Sequence, residues 1–273
     1  MRRFFQTAAL GLVIGGLAAC KPEEVIQTED IPTAGIRFVN AVPDTGAMDF
    51  RPVDIVENST FYSVAFKGTS LLYYKNARAG QRHFRVFMTG TTAAVASTVM
   101  ADTTVTLEAG KLYTFIMWGF ARTGSSPARK LTIIEDAAPD PGNQVALRLV
   151  NAAAGLGALD GSQYPDGGSA PGSATWAGVP ELGASGYVLA PTGRIRYNVK
   201  PAGGATNLFA DALALQGIPA TIDIEAAPGT TVAGSGVSGI VFPRSVAGSG
   251  APNVTTPGII FVWDRRPPRP SGI

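Results

Sequence analysis

The chain offers few side chains that could do chemistry. It holds one histidine, His83, and one cysteine, Cys20. A zinc site needs about three or four nitrogen, sulfur or carboxylate ligands, which this pair does not supply. His83 as a general base would need a positioned nucleophile and an orienting partner. No such motif surrounds it, and it reads as a solvated strand residue. Asp44, Asp49, Asp136 and Asp140 sit in turn-like sequence beside Pro and Gly. Calcium takes about six to eight oxygens, often from such loops, but aspartate is expected in turns because it caps the local backbone, and no spaced calcium-loop motif is present. The Gly-rich stretch Asp166 to Gly178 has no lysine and no helical pattern after it, so it is not a phosphate loop. It reads as a mobile loop, as does Gly229 to Gly239. No catalytic, cofactor-binding or metal-ligating set is assigned, and no cofactor is expected.

Cys20 has a different setting. As the sole cysteine it cannot form an intramolecular disulfide. Met1-Arg2-Arg3 is a short positive start, and the run from Thr7 to Ala19 is uncharged and rich in Ala, Leu, Gly, Val and Ile. That run is shorter than the roughly 20 apolar residues of a spanning helix. A positive start, a short apolar core and a small-residue exit make an export signal. The exit, Leu17-Ala18-Ala19-Cys20, resembles the lipobox of bacterial lipoproteins, in which signal peptidase cuts before a cysteine that carries diacylglycerol. The resemblance implies a signal peptide over 1–19, lipid attachment at Cys20 and a membrane as partner. By resemblance to enterobacterial sorting, Lys21 after the cysteine favours the outer membrane over the inner. Residues 20–34 read as a polar tether, with Glu23, Glu24, Glu29 and Asp30.

The formal charge of +2 includes the signal. Without Arg2 and Arg3 the 22 basic residues fall to 20, equal to the 20 acidic ones. Nucleic acid as a partner would favour a basic patch or stripe, and none is expected here.

The elements that must hold these residues read as strands. Gly (33) and Pro (20) are frequent and charged residues make up only 15%, which suits short strands joined by turns. Ile36-Arg37-Phe38-Val39-Asn40-Ala41 recurs as Leu147-Arg148-Leu149-Val150-Asn151-Ala152. Both copies continue to a Gly-Ala-apolar-Asp run that ends at Asp49 and Asp160. Ala79 to Val86 pairs with Thr192 to Val199, and Leu131 to Asp136 with Ile259 to Asp264, each with a proline three residues after the aspartate. Three matches in one order argue for duplication of a whole domain. Arg194, Arg196, Asn198 and Lys200 alternate with Ile195, Tyr197 and Val199, and period two puts one face in the core and one in water. Ala220 to Glu225 shows the same alternation and predicts a strand. Tyr113 to Trp118 is nearly all apolar and predicts a strand buried on both faces. The fold class expected is all-β: two tandem β-sandwich (immunoglobulin-like) domains, over 35–138 and 139–266, with a basic, proline-rich tail over 267–273.

Arg37-Phe38-Val39-Asn40-Ala41-Val42-Pro43-Asp44 with Asp49, Ala79-Gly80 before an alternating strand, and Leu107 to Thr114 together resemble the family catalogued as domain of unknown function 4397. The resemblance covers 35–138 well and 145–266 more weakly. The second copy has Ala154-Gly155 in place of Pro43-Asp44 and lacks the Gly-Lys-x-Tyr-Thr run. The resemblance implies an exported β-sandwich module and no reaction. The expected function is a non-enzymatic, membrane-anchored envelope lipoprotein with a protein or glycan partner. The alternatives are a carboxylate-dependent envelope hydrolase and a subunit of an envelope assembly or export complex.

Overall fold

The structure is a computed structural model that describes residues 30–56 and 60–268. Cys20, the signal-like segment and the tail beyond Pro268 lie outside the described residues. The first copy forms β1 (Thr33–Ala41), β2 (Met48–Pro52), β3 (Phe61–Val64), β4 (Gly68–Thr69), β5 (Lys75–Arg78), β6 (Gly80–Met88), β7 (Val99–Leu107), β8 (Leu112–Trp118) and β9 (Lys130–Glu135). The second forms β10 (Val145–Asn151), β11 (Leu159–Pro165), β12 (Trp176–Val179), β13 (Gly183–Ala184), β14 (Val188–Ala190), β15 (Ile195–Pro201), β16 (Ala212–Leu213), β17 (Gly236–Phe242) and β18 (Gly258–Arg265). Among the described residues the fold is all-β, with a single helical turn at Ala93–Ala96.

The two copies repeat one topology. In the first, a five-stranded sheet runs β4-β1-β8-β9 with β5 also pairing along β1, and a four-stranded sheet runs β3-β2-β6-β7. In the second, the sheets run β13-β10-β17-β18, with β14 along β10, and β12-β11-β15-β16. The pairings β1–β8 and β10–β17 are parallel. Each five-stranded sheet packs on its four-stranded partner to make a sandwich. Pleating decides which side chains enter that core. From β1, Ile36 and Phe38 point into the first sandwich, while Val39 and Ala41 point the other way.

That other side is also covered. Val39, Ala41, Phe66, Ile116 and Trp118 of the first copy join Val150, Ala152, Ala154, Ile240, Phe242 and Val262 of the second in a third core. The two five-stranded sheets therefore face each other across an apolar seam, and the chain from Pro32 onward clusters as one unit. Being buried on both faces explains the nearly unbroken apolar run of β8.

The duplicated cores are filled differently. In the first, Phe50 stacks on Phe38 and Phe84 and lies tilted against Phe115, with ring centroids 4.8–5.1 Å apart. In the second, Gly161 replaces Phe50, Gly239 replaces Phe115 and Tyr197 replaces Phe84. Trp176, the counterpart of Phe61, fills the space, stacking on Tyr197 at 5.1 Å, and Phe261 closes on Tyr197 at 5.0 Å. A Cβ on Gly161 would lie 2.6 Å from Leu149 Cδ2, and one on Gly239 would lie 2.7 Å from Ile259 Cδ1.

Three expectations are corrected. Gly229 to Gly239 is not a loop throughout, because Gly236 onward is β17, a fully buried central strand. Gly239 makes room for Ile259 and the Tyr197 and Phe261 rings, and Gly236 for Arg265 and Ala138. Asp166 to Gly178 likewise gives way to β12 at Trp176. Ala220 to Glu225 is not a strand. It is a bent tip beyond the isolated Ile218–Ala227 bridge, closed by the Thr221 N–H donating to the Ile224 carbonyl at 2.9 Å. No sheet face lies beneath its isoleucines, and Ile222 is 82% exposed.

Candidate functional site

Arg37 and Arg148 occupy equivalent places on β1 and β10, on the seam side of their sheets. Asp136 and Asp264 are equivalent at the ends of β9 and β18. The seam brings all four together with both carboxylate side chains fully buried. The pairing is crossed between copies. Arg37 Nη2 donates to Asp264 Oδ1 at 2.5 Å and to Asp136 Oδ2 at 3.3 Å, and Arg148 Nη2 donates to Asp136 Oδ1. Arg37 Nε donates to Thr114 Oγ1 at 2.7 Å and Arg148 Nε to Ser238 Oγ at 2.5 Å. Those two hydroxyls, again equivalent, donate to Asp136 and Asp264. Tyr74 stacks on the Arg37 guanidinium at 4.4 Å and donates to Asp136 at 2.7 Å. Tyr187 stacks on Arg148 at 4.7 Å and donates to Asp264 at 2.9 Å. Duplication has built a local two-fold pattern from eight side chains.

The electrostatics follow from that packing. Burial works to raise the Asp264 pKa, yet Arg148, Arg37 and the Ser238 hydroxyl together hold it below the usual carboxylate range. Burial opposes the charge on Arg37 and Arg148, but their neighbours prevail and both are raised. Burial pushes the Tyr74 and Tyr187 hydroxyls up. With two charges of each sign the cluster is neutral and hydrogen-bonded. It fastens the copies together and offers no free acid or base.

The other matched positions of the repeat serve the same structural end within each sandwich. Asn40 Nδ2 donates to the carbonyls of Gly46 and Val64, and its Oδ1 accepts from Val42 N–H. Asn151 does the same with Gly157, Val179 and Ala153. Asp49 accepts from Ser63 N–H at 2.8 Å, and Asp160 from Gly178 N–H at 2.7 Å. Ser63 and Gly178 both have positive φ, at 53° and 60°.

The four aspartates singled out in the sequence do not converge. Asp44 accepts the Ala121 and Arg122 N–H groups, both at 2.8 Å. Asp49 binds Ser63, Thr89 and Arg51. Asp136 is in the seam cluster, and Asp140 pairs with Arg265 at 3.1 Å. Among the described residues no group of three or more His, Cys, Asp and Glu side chains comes together to hold a metal. His83 is only partly exposed and pairs with Asp102, which also accepts from Arg85 Nε at 2.7 Å. Asn198, expected in water, is buried on β15 and donates to Asp211 at 2.7 Å.

The surface feature that sequence reasoning missed lies where β1, β8, β10 and β17 end. The β17–β18 loop of the second copy reaches over the first, with Val246 N–H donating to Pro43 O and Gly250 N–H to Thr45 O, both at 2.9 Å, and Arg122 Nη2 donating to Ala247 O at 2.8 Å. Between this loop, Phe120 and Ala154 to Leu156 is an open cleft of about 920 Å³. Its walls include Pro243, Val246, Pro252 and Pro257, and Arg244 is its sole charged lining residue. At the opposite end, where Pro32 leads into β1, two smaller hollows of about 420 and 390 Å³ share Arg266 and Pro268. No sequence signal marks the cleft, because its walls come from loops far apart in the chain.

The fold and the seam define a class: a duplicated β-sandwich protein whose halves are joined by a buried ionic cluster. Residues 34–161 match the model of the family described as Domain of unknown function (DUF4397), so the first copy and the start of the second are similar to that family. The match runs through β10 and stops at Gly161, where the second core departs from the first. No curated protein matches the chain.

Proposed function

We propose that the protein is a lipid-anchored component of the cell envelope that does no chemistry of its own and holds a partner or ligand in the cleft beyond the end of β1. The observation that carries this reading is placement. Pro32 enters β1 twelve residues after Cys20, and the largest cleft described above opens at the far end of that strand. Nine strand residues span roughly 30 Å, and a twelve-residue tether reaches at most about 40 Å. Lipid on Cys20 would keep the described domains within reach of a bilayer, the outer membrane by the Lys21 rule, where the cleft can meet a protein or glycan of the envelope. The commitment of Asp44, Asp49, Asp136 and Asp264 to backbone caps and buried pairs supports a non-enzymatic reading over a carboxylate-dependent hydrolase.

A second reading, a subunit of an assembly or export complex, is favoured by one observation. Ile218, Ile222 and Ile224 stand 62%, 82% and 62% exposed on one bent loop, and exposed apolar clusters mark contact sites.

Two measurements in intact cells test the proposal. Metabolic labelling with a fatty acid is expected to mark the protein and to fail for Cys20→Ala. A photo-cross-linker placed at Leu156 is expected to capture an envelope protein or glycan, and one at Ile222 much less. Labelling that survives Cys20→Ala removes the anchor. Cross-links from Ile222 and none from Leu156 transfer the contact to the second reading.

A further inference from the structure

We infer that the distal cleft takes an amphipathic anion: an apolar body, aromatic or acyl, carrying one carboxylate that pairs with Arg244. This rests on the reading of the protein as a binding module and names the chemistry its cleft recognises.

The first observation is the state of Arg244. Among the described residues, the other arginines have an ion pair, a hydrogen bond or a ring contact. Arg122 and Arg129 hold backbone carbonyls, and Arg51, Arg85, Arg194, Arg265 and Arg266 pair with acids. Arg244 has no such partner in the described structure, and no acidic side chain lines the cleft beside it. A guanidinium left open over an apolar surface is a ready site for a carboxylate, which it can grip with two parallel N–H donors.

The second observation is how the duplication has diverged here. Thr114 and Ser238 are equivalent, so Phe120 and Arg244 are equivalent too, each two residues past the end of its central strand. They line the cleft together. What one copy supplies as a ring the other supplies as a cation. An exact repeat would give a pair of like groups, which suits either a purely apolar or a doubly charged ligand. The mixed pair suits one molecule with an apolar part and an anionic part.

The third observation is the preparation of the walls. Pro243, Pro252 and Pro257 fix φ along the loop, and the three cross-copy hydrogen bonds to Pro43, Thr45 and Ala247 hold it down. Gly250 passes so near Gly46 that a Cβ on it would lie 2.6 Å from the Gly46 Cα. A wall held this way loses little freedom on binding. The volume of about 920 Å³ falls in the range of small-molecule sites, roughly 300–1,000 Å³.

The test uses residues 32–273, which contain all three cores, and titration calorimetry with three probes: 1-naphthoate, the neutral isostere 1-naphthamide, and dodecanoate. The acid is expected to bind at least about tenfold tighter than the amide. Arg244→Gln should remove that difference, chiefly by weakening the acid, while leaving the thermal midpoint unchanged, because the Arg244 side chain is exposed and unpaired. Phe120→Ser should weaken acid and amide alike. Tighter binding of naphthoate than dodecanoate assigns the cleft to aromatic acids, and the reverse assigns it to acyl chains. Equal affinity for acid and amide, a preference that survives Arg244→Gln, or no binding of either acid at millimolar concentration overturns the inference. The probes act on unanchored protein, so these outcomes are independent of whether Cys20 is lipidated.

Discussion

Arg37, Asp136, Arg148 and Asp264 show how burial turns common residues into a lock. Removing one member leaves an opposite charge buried without its partner, which costs about 3–5 kcal/mol. Arg148→Met is therefore expected to lower the unfolding free energy by that amount in denaturant titration. Replacing all four by apolar residues of similar volume should cost less than Arg148→Met alone, because no charge is then stranded. A fourfold variant weaker than the single one would show that the ions stabilise in their own right. The pH dependence has a definite sign. A carboxylate held below its unfolded value of about 3.9 contributes stability that is complete above that pH and is lost as pH falls through the folded value. For Asp264, with its lowered pKa, the loss belongs to the acid limb below about pH 4, and Asp264→Asn should flatten that limb in a stability-versus-pH series. Tyr197 carries a prediction of the opposite kind. Its hydroxyl is buried without a hydrogen-bond partner among the described residues, and its first-copy counterpart is Phe84. Tyr197→Phe should be neutral or stabilise by about 1 kcal/mol, and a loss larger than that would mean the hydroxyl has a role in the core.

At the scale of elements, the same duplication explains what could be read from sequence and what could not. β1, β8, β10 and β15 were legible because their apolar residues follow the pleat or fill both faces. β17 was not, since Gly236 and Gly239 look like loop residues until Arg265 and Ala138 at the first, and Ile259, Tyr197 and Phe261 at the second, are seen to occupy the space a larger side chain would need. The tip at 220–225 failed the other way: alternation is necessary for a half-buried strand but does not supply a sheet for it to join. The repeated Arg and Asp were visible as matched positions, yet nothing in their spacing says that four residues up to 227 apart meet in one buried group. The exchange of Phe50 and Phe61 for Gly161 and Trp176 can be tested directly. Gly161→Phe overfills the second core and should cost about 1–3 kcal/mol. Adding Trp176→Ala should recover part of that loss, so the double variant is more stable than the two single effects predict. Strict additivity in a double-mutant cycle would show that the two sites do not compensate each other.

For the whole molecule, the seam decides how many folding units there are. Val39, Ile116 and Trp118 belong to the first copy but are buried only with the help of Val150, Ile240 and Phe242. Unfolding one copy would expose that surface and break the crossed ion pairs in the other. The two sandwiches are thus expected to unfold in one transition, seen as equal calorimetric and van't Hoff enthalpies, and two resolved transitions would mean that the seam is weak. Severing the copies makes a sharper case. A chain of residues 32–138 keeps Arg37 and Asp136, one charge of each sign, together with half of the apolar seam. The missing half is nearly a copy of the one retained, related by local two-fold symmetry, so the exposed face is complementary to itself in the way a two-fold dimer requires. The isolated first copy should therefore pair with itself, with Arg37 of each chain reaching Asp136 of the other in place of Asp264. Sedimentation should report a dimer that Val39→Asp converts to monomer, since that change puts a charge in the middle of the seam. A stable, soluble monomer of residues 32–138 would mean that the first sandwich does not need its seam covered, and that the second copy is held for the cleft alone.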